Sequence, residues 1–281
     1  LNVISRFKIL AGMKLDEKRK PLDGRIKRFM GEHKIEMRVS SVPCFYGEKV
    51  VIRIFDFEVA KKDLAFVGFN DEDYKTWLKL INSPQGIILV TGPTGSGKTT
   101  TLYSSLNSIA TPEVNVCTVE DPIEMTVDAF NQVQVNPDIG LTFASCVRAF
   151  LRQDPDIVMV GEIRDYETAE IAVQASLTGH LVFSTLHTNG ALASIVRLID
   201  LGLPTYLINS SIIGILAQRL VRRLCPSCKE KVPTSKYRWN LLTLGEQVKM
   251  PEYVYEARGC HDCKDVGYVG RFCLYELVEF T

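Results

Sequence analysis

Hydrophobic residues recur along this chain with two different periods, and the change of period marks its parts. From Ile87 onward, short apolar runs alternate with segments of helical periodicity. Ile87-Ile88-Leu89-Val90 is the first such run, and the pattern predicts strands at 87–91, 114–119, 157–161 and 181–185. Between the runs lie helical stripes. Phe143, Val147, Phe150 and Leu151 form one, and Leu192, Ile195, Val196 and Ile199 another that Gly202 and Pro204 terminate. A further helix is expected at about 71–82, before Ser83-Pro84. A strand can be apolar throughout only if both faces are covered, so the alternation predicts an α/β domain with a mostly parallel sheet.

The first part of the chain reads differently. Val3, Phe7, Leu10 and Ala11 share one helical face, which predicts an opening amphipathic helix. Ile35, Met37 and Val39 then alternate with Glu36, Arg38 and Ser40, the period of a half-buried strand with Arg38 on its polar face. Gly31-Glu32-His33 reads as the turn before it. Glu48–Phe55 is a second strand, with Val50, Ile52 and Ile54 on one face. Residues 1–56 are therefore expected to form a small α+β lobe, the charged stretch 57–68 a linker, and 69–281 the main domain.

Composition narrows the function classes. The 281 residues are 46% hydrophobic, as in a globular protein, and Lys+Arg and Asp+Glu both number 33. A zero balance gives no general basic surface for nucleic acid. No apolar run approaches the roughly 18–20 residues of a membrane span, and there is no secretory signal pattern. The chain opens on Leu1 rather than Met, as a piece of a longer protein would.

The chemistry begins directly after the run at 87–90. Gly92-Pro93-Thr94-Gly95-Ser96-Gly97-Lys98-Thr99-Thr100 is a G-x-x-x-x-G-K-[ST] phosphate loop between a strand and a helical pattern. Its glycines let backbone N–H groups turn inward as an anion cradle. Lys98 adds a point charge toward the β- and γ-phosphates, Thr99 a hydroxyl for Mg²⁺, and the helix N-terminus its dipole. The chain is expected to bind a nucleoside triphosphate.

Two acidic clusters follow at predicted strand ends. Asp156 to Glu162 carries four apolar residues into an acid, the arrangement that sets a carboxylate beside a γ-phosphate and its magnesium. Glu120-Asp121-Pro122-Ile123-Glu124 places three carboxylates at a strand's C-terminal edge, where open α/β sheets bind ligands. One of them could serve as a base toward water, although composition alone favours a solvated acidic turn. His187 ends the run after Gly179-His180, and a lone histidine serves packing or hydrogen bonding more often than chemistry.

Eight cysteines include Cys225-Pro226-Ser227-Cys228 and Cys260-His261-Asp262-Cys263, two knuckles with the spacing of a four-thiolate zinc site. The long separation predicts a small excursion between them, within a subdomain at about 222–268, and His261 reads as a non-ligand. Cys44, Cys117, Cys146 and Cys273 have no pairing pattern and are expected to be small core residues.

Taken in order, these motifs resemble the traffic ATPases of type II secretion and type IV pilus assembly. The resemblance rests on the phosphate loop, the acidic box at 120–124, Leu151–Asp156 running into Val160–Arg164, Thr178–Asn189 and the tetracysteine, and it covers essentially the whole chain. Pro21–Arg25 and Gly47–Arg53 fit it as well. It implies a cytoplasmic ATPase at the inner membrane, working as a homo-hexamer on platform proteins of a secretion or pilus machine, with ATP, Mg²⁺ and Zn²⁺. It also implies a RecA-like core under a PAS-like amino-terminal lobe. By the same resemblance Glu124 is the general base, Glu162 the magnesium-side acid and His187 the second histidine of a histidine box. Arg38 and Arg53 are lobe arginines that reach the phosphates. Arg148, Arg152 and Arg164 lie near nucleotide or subunit contacts, with Arg271 a further arginine of that kind. The tetracysteine is similar to that of secretion and pilus-extension members. The competing reading is a nucleic-acid motor or a zinc-knuckle nucleic-acid binder, which the neutral charge balance opposes.

Overall fold

The computed structural model of the chain describes residues 3–31, 33–56, 64–244, 246 and 248–280. The first lobe carries helix α1 (Val3–Leu10) against an antiparallel sheet of β1 (Leu22–Met30), β2 (His33–Cys44) and β3 (Gly47–Asp56). Ala11, Met13, Ile26 and Val39 form its small core. Strand β1 was not expected. Its Leu-Asp-Gly-Arg-Ile-Lys-Arg stretch has too few apolar positions to signal a strand, and pairing with β2 decides it. The polar face of β2 is not solvated as the alternation implied: Glu36 is only 2% exposed and lies 3.8 Å from Arg25.

In the second part, helix α2 (Asp71–Ile81) starts at Asn70, whose side chain accepts the Glu72 and Asp73 N–H groups at 3.0 and 2.8 Å. Residues 57–63 of the expected linker lie outside the described residues. Leu64–Val67 make a helical turn, and Leu64 is buried in the core of the main domain.

The central sheet has seven strands in the order β12-β9-β4-β8-β7-β5-β6. They are β4 (Gly86–Thr91), β5 (Val116–Glu120), β6 (Asn131–Gln134), β7 (Ile157–Val160), β8 (Leu181–Leu186), β9 (Ile212–Leu224) and β12 (Tyr268–Glu279). All neighbours run parallel except β12 against β9. The four expected strands are β4, β5, β7 and β8, each buried along its whole length. Helices α2 and α3 (Lys98–Ile109) contribute to the hydrophobic cluster on one side of the sheet. Helices α4 (Phe143–Phe150), α5 (Tyr166–Leu177), α6 (Ala191–Asp200) and α7 (Thr205–Ser211) contribute to the other. The fold is α/β with a mostly parallel sheet.

Sequence patterning missed β6, β9 and β12. Strand β6 is short and polar, and β9 turns from apolar to basic halfway along. Between β9 and β12 the chain makes the expected excursion: β10 (Glu230–Pro233), helix α8 (Lys236–Leu242) and β11 (Tyr253–Glu256), with β10 and β11 antiparallel. Cys117 and Cys146 are core residues as expected, but Cys44 is exposed near the β2–β3 turn and Cys273 is only half-buried on the sheet-edge strand β12. Among the described residues no helix is long and apolar enough to cross a membrane.

Candidate functional site

The loop from Gly92 to Gly97 leaves the buried end of β4 and feeds α3, which begins at Lys98. Its glycines are required by geometry. Gly92 has φ 146°, and a Cβ there would meet the Gln218 carbonyl oxygen at 2.3 Å. Gly97 caps α3 at φ 90°, a left-handed conformation that side chains disfavour. Lys98 folds back over the loop and donates from Nζ to the carbonyls of Gly92 at 2.9 Å and Pro93 at 3.2 Å. Burial pushes its pKa below the ordinary lysine value, while Glu162 and Glu124 pull it back up.

A cavity of about 720 Å³ opens above this loop. It is lined by Thr94, Gly95, Ser96, Gly97, Lys98, Thr99 and Thr100, and by Glu124, Glu162, His187, Arg53 and Arg271. The carboxylates come from the C-terminal ends of parallel strands, Glu124 from the loop after β5 and Glu162 just past β7. Arg53 comes from β3 of the first lobe. Segments spread over more than two hundred residues thus meet at one place, with backbone N–H groups and a lysine on one wall and carboxylates on another. That arrangement can hold a polyanion with a divalent cation and place a base beside it.

The outer parts of the site are held by ion pairs. Arg164 pairs with both Glu162 and Asp121, at 3.2 Å to the latter. These contacts, the Glu162 hydrogen bond foremost, hold its pKa above the ordinary value. His187 Nε2 lies 3.4 Å from Glu162. Arg148 and Arg152 do not line the cavity: Arg148 pairs with Glu167 on α5 at 2.9 Å, and Arg152 donates to the Arg148 carbonyl at 2.8 Å.

A second cavity of about 840 Å³ lies between the first lobe and the loop after β5, and shares Arg53 and Pro122 with the first. The strand register sets Arg25, Arg38 and Arg53 side by side across β1, β2 and β3. Arg38 donates to the Ile123 carbonyl within the acidic box, and Arg25 to the Gln134 side chain on β6. Burial, followed by the neighbouring Arg25, lowers the pKa of Arg38. Arg38 therefore borders the loop that carries Glu124 rather than lining the phosphate-loop cavity.

Sequence reasoning gave no role to Arg25 or Gln218. Gln218 is a polar residue in the apolar half of β9, buried to 3% exposure. Its amide donates to the Ser96 carbonyl at 2.7 Å, and its carbonyl accepts the Thr101 hydroxyl at 2.9 Å. The only local signal was a glutamine inside an apolar strand run.

At the far end of β9 the four knuckle cysteines converge, their sulfurs all within 4.8 Å of one another. The contacts Cys225–Cys260, Cys228–Cys263 and Cys260–Cys263 are 3.9, 3.8 and 3.8 Å. Four thiolates at about 2.3 Å from a central Zn²⁺ would be about 3.8 Å apart at tetrahedral angles. Burial opposes ionisation of Cys263, but N–H groups of Cys260 and Gly267 donate to its sulfur at 3.2 and 3.1 Å and bring its pKa down to about 7. The donor set fits a closed, four-coordinate metal site.

The family described as Type II/IV secretion system protein matches residues 1–281. The chain is 54% identical over 278 residues to the type IV pilus assembly ATPase TfpB of Acinetobacter baylyi, covering 99% of this chain and 48% of that protein. It is 51% identical to type II secretion system protein E of Pseudomonas aeruginosa, covering 99% of this chain and 55% of the relative. Among solved structures, the pilus retraction motor PilT with bound ADP superposes with a TM-score of 0.64 at 34% identity, over 74% of this chain and 61% of that one. The ATPase DotB of Yersinia pseudotuberculosis superposes with a TM-score of 0.70 at 25% identity, over 99% and 68%. The chain spans about half the length of the curated relatives it matches.

Proposed function

The chain belongs to the Type II/IV secretion system protein family, and from that premise we propose that it is the catalytic part of an ATPase that powers assembly of a type IV pilus or a secretion pseudopilus. The observation that carries the proposal is the meeting of Lys98, Glu124, Glu162 and Arg53 around one cavity, from four segments distant in sequence. In this reading the main domain, 69–281, is a RecA-like core. The lobe at 1–56 is a PAS-like piece that closes over it, and 57–68 is the linker.

ATP lies with its phosphates on the backbone of residues 92–97. Lys98 leaves the Gly92 and Pro93 carbonyls to meet the β- and γ-phosphates. Thr99 and Glu162 would hold Mg²⁺, which would neutralise charge on the phosphoryl oxygens. Glu124 takes the proton of the attacking water. His187 and Arg164 both contact Glu162 and orient its carboxylate. Arg53, with Arg38 and Arg25 behind it, brings positive charge from the lobe, so hydrolysis depends on how the lobe sits over the core. Arg271 adds charge from β12. Arg148 and Arg152 do not line the cavity and suit contacts between subunits of a homo-hexamer. Zn²⁺ on Cys225, Cys228, Cys260 and Cys263 is structural, because four protein ligands leave no position for water. The motor works at the cytoplasmic face of the inner membrane, bound to platform proteins rather than to nucleic acid.

The test is steady-state ATP hydrolysis by the full chain, with Lys98→Ala and Glu124→Gln beside the wild type. Magnesium-dependent turnover that is lost in both variants and indifferent to added DNA is expected. Glu124→Gln should retain ATP binding. Turnover unchanged by Lys98→Ala, or dependent on DNA, overturns the proposal.

A further inference from the structure

We propose that Tyr103, Glu120 and Gln132 form a buried clamp that positions Glu124 against the phosphate loop. This rests on the reading of Glu124 as the base.

The acidic box contains three carboxylates, and the fold treats each differently. Asp121 is paired with Arg164. Glu124 is half-buried, and all three carboxylates line the cavity. Glu120 is 4% exposed and surrounded by donors. Its Oε2 accepts the Tyr103 hydroxyl at 2.6 Å. Its Oε1 accepts the Thr118 hydroxyl at 2.9 Å and the Gln132 amide at 3.0 Å. Three donors on two oxygens leave this carboxylate engaged, so it is suited to holding geometry rather than to taking a proton from water.

The clamp reaches Glu124 through the backbone. The Gln132 amide also donates to the carbonyl of Met125, the residue after Glu124, at 2.9 Å. The Tyr103 oxygen lies 3.1 Å from the same carbonyl and 3.0 Å from the Gln132 amide. Tyr103 is fully buried on α3, the helix that Lys98 begins. Burial, then the charge of Glu120, raises its pKa, so the phenol keeps its proton and acts toward Glu120 as a donor. One connected set of hydrogen bonds therefore joins the helix behind the phosphate loop, the end of β5, strand β6 and the residue beside Glu124. A buried carboxylate is costly unless it is well paired, so packing alone would be served better by an apolar residue. A base, by contrast, gains from rigid support, because a displacement of about 1 Å can cost about 100-fold in rate.

The experiment uses Tyr103→Phe, which removes one hydroxyl and keeps the ring, and Gln132→Leu as an independent second variant. In the full chain each should lower kcat for ATP hydrolysis roughly tenfold, with KM and ATP affinity within about twofold of wild type. Tyr103→Phe combined with Glu124→Gln should be no slower than Glu124→Gln alone, because both act on one step. Wild-type kcat in folded Tyr103→Phe and Gln132→Leu overturns the clamp, even if their melting temperatures fall, since that is the mark of a purely structural role. Full multiplication of effects in the double variant overturns it too. If Glu124→Gln itself turns over at the wild-type rate, the base assignment fails and the clamp with it. A slow Glu124→Gln beside normal Tyr103→Phe and Gln132→Leu refutes the clamp alone.

Discussion

Gln218 donates its side-chain amide to the Ser96 carbonyl at 2.7 Å, and so holds the phosphate loop from the strand behind it. The two residues are 122 positions apart. The other end of the same amide accepts from Thr101, in the first turn of the helix that follows the loop. Both bonds are buried, and replacing Gln218 leaves two polar groups without partners. Gln218→Met should cost about 1–3 kcal/mol of stability and weaken ATP affinity roughly tenfold through a loosened cradle. A melting curve and a nucleotide titration on the same preparation measure the two effects. Wild-type affinity in the variant would show that the loop keeps its shape unaided.

Lys98 carries a cost in the empty protein. Its pKa is lowered by burial, so the folded state disfavours the charged form that the unfolded chain keeps. Between the lowered folded value and the ordinary lysine value, the unfolded chain binds more protons, and stability rises with pH across that window. Below the folded value the penalty is present in full. Lys98→Met should therefore melt no lower than wild type near neutral pH while losing nearly all hydrolysis. Melting temperatures from neutral to alkaline pH, with and without ATP, check this. A large drop on substitution would mean that the bonds to the Gly92 and Pro93 carbonyls outweigh the burial.

The lobe arginines should affect turnover more than binding. Arg53→Ala removes the lobe cation that lines the phosphate-loop cavity, and Arg38→Ala frees the Ile123 carbonyl on the loop carrying Glu124. Each should cut kcat by about tenfold or more, with a smaller change in ATP affinity. Arg38→Lys should recover little, because an ammonium lacks the planar fork. Normal kcat in both alanine variants would mean that the lobe does not complete the site.

The tetracysteine should hold one zinc ion per chain. Elemental analysis of protein prepared under reducing conditions without chelator should return that stoichiometry, and Cys263→Ser should lose it. Chelation should loosen the 222–268 excursion and lower the melting temperature. Zinc-free protein with an unchanged melt would count against a structural metal.

Some of this protein was legible in the order of its residues. The phosphate loop could be read because a backbone that turns N–H groups inward needs glycine at fixed places, beside a lysine and a threonine. The knuckles could be read because two thiolates on one tight turn require close spacing. Strands β4, β5, β7 and β8 could be read because burial on both faces makes them short, mostly apolar runs. Each is a local demand, met by neighbouring residues. Tertiary structure decided what depends on pairing between distant segments. It made β1 and β6 strands by giving polar sequences a partner, and it aligned Arg25, Arg38 and Arg53 through the register of three strands. It paired Arg148 with Glu167 and Arg152 with the Arg148 carbonyl, outside the cavity lining. Of the three carboxylates that line the cavity, it buried Glu120 beneath three donors and left Glu124 half-buried. A side chain's burial and its partners are set by whatever the fold brings opposite it, and neither is written in its own stretch of chain.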